Sequence, residues 1–181
     1  GMYVACGSLN KITEKQVEYA QKNGGFERIH LTMEQKLIPE YYKTAAGKHF
    51  MESVVALCRE KKKVIVDTFD QDDTKEEFLK LHQIPKESVR FRISDSHGCI
   101  VDEIVSQKTD VTILMTGGDT LMGYMKKIGC TQIEPLCEIE QGVVVSSIVS
   151  GGRSVQVISK SGGFGTEDIL CRIAEKVIKK A

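Results

Sequence analysis

Short apolar runs alternate along the chain with longer segments in which apolar residues recur every three or four positions. The runs are rich in β-branched residues and predict buried strands, whereas the periodic segments predict helices that face a core. The predicted strands span residues 2–6, 28–31, 63–67, 111–115, 143–145 and 154–158. The predicted helices span residues 14–22, 47–61, 96–107, 121–128 and 166–179. This alternation is typical of an α/β fold: a three-layer α/β/α domain around a mainly parallel sheet, with a mixed sheet as the alternative.

The first helix is preceded by a sequence pattern typical of a capping box. Thr13 is followed three positions later by Gln16, and in a capping box these two side chains bond each other's backbone N–H groups. The pattern predicts that the helix begins directly after Thr13.

The most polar part of the chain runs from residue 69 to residue 92 and is predicted to be a surface excursion. It contains three closely spaced acids, Asp70, Asp72 and Asp73. Such carboxylates can bind a metal ion, but their spacing matches no fixed ligand pattern, and acids also favour the first turn of a helix. We interpret the acids as a solvated helix start and predict no metal site.

Three glycine-bearing turns follow predicted strands and lead into helical patterns. They lie at Gly7-Ser8, at residues 116–120 and at residues 160–168. Backbone N–H groups at the start of a helix favour phosphate, and glycine lets a ligand approach the backbone closely. Neither common phosphate-loop fingerprint occurs in the chain, so glycines that only make tight turns are the alternative. In a parallel sheet the three turns would share one edge, where α/β proteins bind ligands.

Length and charge narrow the classes of protein. The 181 residues suit one domain, 1–181, and Gly1 before Met2 is interpreted as the remnant of an expression tag. With 25 basic and 25 acidic residues the formal net charge is zero. The chain therefore has no net positive charge to attract nucleic acid by long-range electrostatics. No apolar run is long enough to cross a membrane. We therefore expect neither a nucleic-acid nor a membrane partner.

Six cysteines are scattered along the chain without a Cys-x-x-Cys pair. Several lie within apolar runs, where a reduced thiol behaves as a small hydrophobic side chain. This distribution indicates a reducing compartment, and we expect a cytoplasmic protein.

Four motifs, in order along the whole chain, resemble the C-terminal nucleotide-binding domain of the four-carbon acid sugar kinase family. Each motif is loose by itself, and the resemblance depends on their common order and spacing. The motifs are Cys6-Gly7-Ser8 with Thr13-x-x-Gln16, then Thr116-Gly117-Gly118-Asp119-Thr120, then Glu138-Ile139-x-x-Gly142-Val143, then Lys160-Ser161-Gly162-Gly163-Phe164-Gly165 with Asp168.

The resemblance implies a site for ATP or ADP with Mg²⁺. Ser8 would offer a hydroxyl at a strand end, and the backbone and hydroxyl of Thr120 would help to hold phosphate. Gly162 and Gly163 would let the base or ribose come close. The nucleotide-binding residues implied by the resemblance are Ser8, Gly117, Gly118, Asp119, Thr120, Lys160, Gly162 and Gly163.

For two of these residues there is an alternative to a role in nucleotide binding. Asp119 can act as a helix cap, and beside phosphates it would be repulsive unless Mg²⁺ or a ribose hydroxyl intervened. Lys160 can neutralise phosphate, but a lysine at a strand end is commonly solvated.

The family carries its sugar site and its presumed catalytic acid in an N-terminal domain, which is absent from this sequence. Gln141-Gly142-Val143-Val144 also stands where the family usually has a Pro-Gly-Val-Pro turn. The resemblance therefore implies the ATP-binding half of a kinase for sugar acids such as threonate, erythronate or their oxo forms, which needs a separate sugar-binding domain or subunit. A non-catalytic, regulatory nucleotide-binding module is the alternative. An apolar patch left without its partner domain would also allow a homodimer.

Overall fold

The computed structural model describes residues 1–7, 10–60, 62–69 and 74–178. Strands and helices alternate along these residues. The strands are β1 (Met2–Cys6), β2 (Phe26–His30), β3 (Lys63–Asp67), β4 (Thr112–Thr116), β5 (Glu134–Glu140), β6 (Val143–Ser150) and β7 (Arg153–Lys160). The α-helices are α1 (Lys11–Asn23), α2 (Met33–Leu37), α3 (Ala45–Arg59), α4 (Lys75–Leu81), α5 (Val89–Ser106), α6 (Gly118–Lys127) and α7 (Ile169–Val177), and two 3₁₀ turns span Pro39–Lys43 and Lys86–Ser88.

All of these strands form one sheet in the order β2-β3-β1-β4-β7-β6-β5. The first five strands in this order are parallel: β2, β3, β1, β4 and β7. Strand β6 is antiparallel to both β7 and β5. Parallel neighbours need crossover connections, which the helices supply, while a tight hairpin is enough for β5 and β6. The predicted mainly parallel sheet is confirmed, and its mixed form is the one observed.

Helices cover both faces of the sheet. Alternate residues of each strand point to opposite faces, so each face has its own core cluster. Tyr3 and Ala5 of β1 belong to a core cluster that also contains residues of α3, α5 and α6. Met2, Val4 and Cys6 belong to a second cluster with residues of α1 and α7. The predicted three-layer α/β/α arrangement is therefore confirmed.

Helices α5 and α6 approach each other closely through two glycines. A Cβ on Gly98 would lie 2.6 Å from the carbonyl oxygen of Gly123, and a Cβ on Gly123 would lie 2.2 Å from the carbonyl oxygen of Ser94. A side chain at either position would force the helices apart. This contact helps to hold the first turn of α6, where one of the glycine turns lies.

The capping box predicted for α1 is wrong. The helix begins two residues before Thr13, and its cap is Asn10, whose side chain accepts the N–H of Ile12. Thr13 and Gln16 instead lie inside the helix and are fully buried.

The sequence patterns also missed several features, and the reason is clear for three of them. Strand β5 was not predicted because its residues are polar or exposed along most of its length, so no apolar run marks it. Helix α2 is only five residues long, too short for helical periodicity. Helix α5 begins at Val89, seven residues before the predicted start, because its first two turns contain several polar residues.

The remaining expectations concern the membrane, the thiols and the acids. Among the described residues, no helix combines the length and apolar character that a membrane crossing needs. All six cysteines carry free thiols. The acidic cluster of Asp70, Asp72 and Asp73 lies outside the described residues.

Candidate functional site

Three glycine-bearing turns lie side by side at the carboxyl edge of the sheet. Strands β1, β4 and β7 are neighbours, and their last residues, Cys6, Thr116 and Lys160, pair in register. Each turn begins at the next residue, and adjacent strands lie about 5 Å apart. The N–H of Gly117 also donates to the carbonyl of Lys160 across 2.9 Å. The turns therefore meet as predicted; Ser8, which belongs to the first of them, lies outside the described residues.

The hairpin turn between β5 and β6 joins this edge. Gly142 has a φ of +73°, and its carbonyl accepts the N–H of Ser161 at 3.0 Å. A Cβ on Gly142 would lie 2.8 Å from the ring of Phe164. Glycine at position 142 therefore lets the turn pack directly against the loop after β7. The prolines usual at this turn in the family that the motifs resemble are absent.

The glycines of the site divide into two kinds. Gly117 and Gly165 have φ angles of +88° and +89°, a backbone conformation that favours glycine. Gly118 and Gly163 have no such φ, and a Cβ on either would meet no atom of the described residues within 4 Å. The fold itself therefore does not require glycine at positions 118 and 163. An incoming ligand that must approach the backbone closely would explain both.

The start of α6 presents free backbone donors. The N-cap is Gly117, which contributes no side-chain hydrogen bond, and the N–H groups of Gly118 and Asp119 have no acceptor among the described residues. The partial positive charge of a helix N-terminus makes such groups suitable for an anion.

Two residues of this turn differ from expectation. Asp119 is exposed, is the second residue of α6 and not its N-cap, and makes no capping hydrogen bond among the described residues, so its interpretation as a helix cap is wrong. The hydroxyl of Thr120 is buried and donates to the carbonyl of Thr116 at 2.8 Å. The N–H of Thr120 also has an acceptor, the carbonyl of Gly117. Thr120 therefore shapes the turn, and its donors are already used within the protein.

Lys160 is a buried cation at the centre of the edge. Only 1% of the residue is exposed, and its Nζ donates to the carbonyl of Ser161 at 2.8 Å. No carboxylate pairs with Lys160 among the residues that the structure describes. Burial disfavours the charged form and lowers the pKa of Lys160 to about 8. The interpretation of Lys160 as a solvated lysine is wrong.

A polar group on the strand beside Lys160 lacks a hydrogen-bond partner among the described residues. The hydroxyl of Thr116 is buried without a hydrogen bond among the described residues. Because Thr116 and Lys160 are in register on parallel strands, their side chains leave the same face of the sheet. An unneutralised cation and an unsatisfied hydroxyl are thus neighbours at this edge, and an anion would suit both.

The same register row continues across the other two parallel strands, where it holds an ion-pair cluster. Asp67 is fully buried at the end of β3. It accepts hydrogen bonds from Arg28 Nε at 2.5 Å and from His30 Nδ1 at 2.7 Å. Sequence reasoning missed this cluster because only the strand order brings the three side chains together. The one available signal was an acid at the end of an apolar run.

Asp67→Asn is expected to lower the free energy of unfolding by about 3 kcal/mol, because it leaves the mostly buried Arg28 without its counter-ion. Urea denaturation measures this change. Asp95→Asn is the matched control: Asp95 pairs with Lys126 at the surface, and losing that pair is expected to cost at most about 1 kcal/mol. Equal, small losses in both variants would contradict a structural role for the cluster.

A buried histidine packs beneath the first turn. His97 is fully buried. Burial lowers the pKa of His97 to about 4, so the ring is neutral near pH 7. A Cβ on Gly7 would lie 2.5 Å from Thr120 Oγ1 and 3.1 Å from His97 Cδ2. Glycine at position 7 therefore lets α5 and α6 pack closely against the end of β1.

Comparison with known proteins agrees with a nucleotide site. Residues 3–170 match the family model of the nucleotide-binding C-terminal domain. No functionally curated protein matches the sequence.

Solved structures share the fold at low sequence identity. A domain of unknown function (DUF1537) from Bordetella bronchiseptica, a domain-swapped dimer with bound citrate, has a TM-score of 0.65 and 17% identity over 96% of this chain. A DUF1537 protein from Haemophilus influenzae has a TM-score of 0.69 and 20% identity over 98% of it. A chain from Salmonella typhimurium LT2 has a TM-score of 0.71 and 15% identity over 97% of it.

The present chain spans only 40% of the length of each of these three chains. At such low identities the similarity to solved structures shows the fold alone, whereas the family model covers nearly the whole sequence. The resemblance noted from the four motifs is confirmed: this chain belongs to the family of nucleotide-binding C-terminal domains.

Proposed function

We propose that this chain is the ATP-binding half of a kinase that phosphorylates four-carbon acid sugars such as threonate, erythronate or their oxo forms. The observation that carries the proposal is the edge at which the turns after β1, β4 and β7 meet. Gly118 and Gly163 leave open space there, and Lys160 supplies a buried cation without a carboxylate partner among the described residues. These features suit a polyphosphate better than a neutral ligand.

Six residues of the edge have a proposed role in nucleotide binding. The free N–H groups of Gly118 and Asp119, with Ser8 and Lys160, would bind phosphate oxygens. Mg²⁺ or a ribose hydroxyl would lie between the Asp119 carboxylate and the nucleotide, because a bare carboxylate repels phosphate. Gly162 and Gly163 would receive the base or ribose. Bound ATP would supply the phosphoryl group.

Turnover requires an acceptor hydroxyl held in line with that group. We place the acceptor site in a separate sugar-binding domain or subunit, and the greater length of the matched solved chains supports a further domain. The isolated chain is therefore expected to bind ATP or ADP without phosphorylating a sugar acid. Exposed apolar residues such as Leu81 and Phe91 could be buried by a docked domain or by a second copy of the chain in a homodimer. We also expect a cytoplasmic location.

The proposal predicts ADP release only from a complete mixture. The chain, a candidate sugar-binding domain and Mg-ATP would be combined with a panel of four-carbon sugar acids, and ADP would be measured with a coupled assay. We expect release with at least one acid when both proteins are present, and none with either protein alone. Gly118→Val in the same mixture is the control for the ATP site.

ATP binding by the chain without ADP release from any combination would contradict the kinase proposal. That result would favour the non-catalytic, regulatory module. Failure of the chain to bind ATP at all would contradict both.

A further inference from the structure

Helix α1 carries two polar side chains on its buried side. Thr13 and Gln16 are both fully buried, and residues three apart lie on the same side of a helix. Buried polar groups are costly unless they are hydrogen-bonded. Since Asn10 caps the helix, Thr13 and Gln16 are not needed to begin it, and their contacts must serve another purpose.

Both side chains bond the loop that follows β7. Thr13 Oγ1 donates to the carbonyl of Gly162 at 2.7 Å. Gln16 Nε2 donates to the carbonyls of Phe164 and Gly165 at 3.0 and 2.9 Å. The Oε1 of Gln16 is buried without a hydrogen bond among the described residues, so the amide acts here as a double donor. Three carbonyls within four residues of the loop are thus held by one helix.

The loop needs such support because it contains three glycines. Glycine loses more backbone freedom on ordering than any other residue. Within the loop, the turn bond from the N–H of Phe164 to the carbonyl of Ser161 is long, at 3.3 Å. The hairpin turn at Gly142 supports the loop from the other side. Helix α1 and this hairpin therefore hold the loop between them.

We propose that Thr13 and Gln16 are positioning residues that hold the loop 162–165 in the conformation that receives the base or ribose of a nucleotide. The nucleotide part of this inference rests on the proposed function. Helix α1 follows β1 along the chain, and through these two side chains it contacts the loop after β7, across the intervening strand β4.

We call the hydrogen bonds of Thr13 and Gln16 to the loop 162–165 the clamp. Hydrogen exchange tests the clamp without any ligand. Gln16→Met keeps the approximate length of the side chain but removes both donors. We expect the amides of residues 161–166 to exchange at least about tenfold faster in this variant, because the loop loses two of its hydrogen bonds. Amides of the turn 117–120 are expected to be unchanged. Gln21→Met, at an exposed position of the same helix, is the control and should change neither segment.

Nucleotide binding tests the positioning role. Thr13→Ser keeps the hydroxyl and is expected to bind ATP within about twofold of the unmodified chain, whereas Thr13→Val and Gln16→Met are expected to bind about tenfold more weakly. Rescue by serine separates a hydrogen-bonding role from simple packing.

Two results would overturn the inference. One is unchanged exchange of residues 161–166 in Gln16→Met, or faster exchange spread over the whole chain. The other is fast loop exchange with unaltered ATP affinity, which would leave the clamp without a role in binding. If the unmodified chain binds no ATP, the proposed function fails instead, and the exchange experiment still decides whether the clamp exists.

Discussion

Gly118→Val is expected to abolish ATP binding while the chain keeps its fold. A Cβ at position 118 meets no atom of the described residues within 4 Å, so we expect the valine side chain to fit in the free protein. The same space lies over the free N–H groups at the start of α6, where phosphate would bind. Valine would fill that space and keep the ligand from the backbone. Calorimetric titration with Mg-ATP should show at least about a 100-fold loss of affinity, equivalent to roughly 2.7 kcal/mol.

Ala45→Val is the matched control, because Ala45 is also the first residue of an α-helix and is exposed. It should bind ATP as the unmodified chain does. Both variants should melt within about 2 °C of the unmodified chain, since neither valine creates a clash or a cavity. Normal ATP binding by Gly118→Val would show that the start of α6 is not the phosphate site.

Lys160→Met is expected to change binding and stability in opposite directions. Methionine has a similar length but no charge, so it removes the desolvated cation. The free energy of unfolding should rise by roughly 1–3 kcal/mol, measured by urea denaturation near pH 7. Affinity for ATP should fall about 50-fold, because a charge-assisted hydrogen bond is lost. Lys127→Met, at an exposed position on α6, is the control and should change neither quantity appreciably.

The pH dependence follows from the lowered pKa of Lys160, about 8 in the folded chain against the usual 10.5. Between these pH values the unfolded chain binds the proton more strongly, so this lysine makes stability increase as pH rises. The stability gap between Lys160→Met and the unmodified chain should therefore narrow from pH 8 to 10.5. Affinity for ATP should fall as the pH rises above about 8 in the unmodified chain alone. A constant gap and a flat affinity would contradict the role of Lys160.

Much of the fold could be predicted from the sequence because buried strands and core-facing helices leave strong periodic patterns. The strand Lys63–Asp67 was predicted to the residue, and the turns after β1, β4 and β7 were placed at one edge. Strand β5 could not be predicted in this way. It lies at the edge of the sheet with most of its residues exposed, so burial imposes no apolar alternation on it.

The candidate site was predictable only where local backbone conformation determines the residue. Glycine turns at strand ends were visible, and so was the order of the motifs. The roles of individual side chains depend on tertiary contacts. Thr13 and Gln16 look like a capping box in sequence, yet they bond a loop almost 150 residues away. The burial of Lys160 and the pairing of Asp67 likewise depend on which strands are neighbours.

Calorimetric titration of the unmodified chain with Mg-ATP, supported by its melting temperature, tests the central claim most directly. We expect saturable binding at one site per chain. At about 100 times the dissociation constant, ATP should add roughly 2.7 kcal/mol of stability, and the melting temperature should rise by several degrees. No heat of binding and no shift in melting temperature at millimolar Mg-ATP would contradict the claim that the three turns form an ATP site.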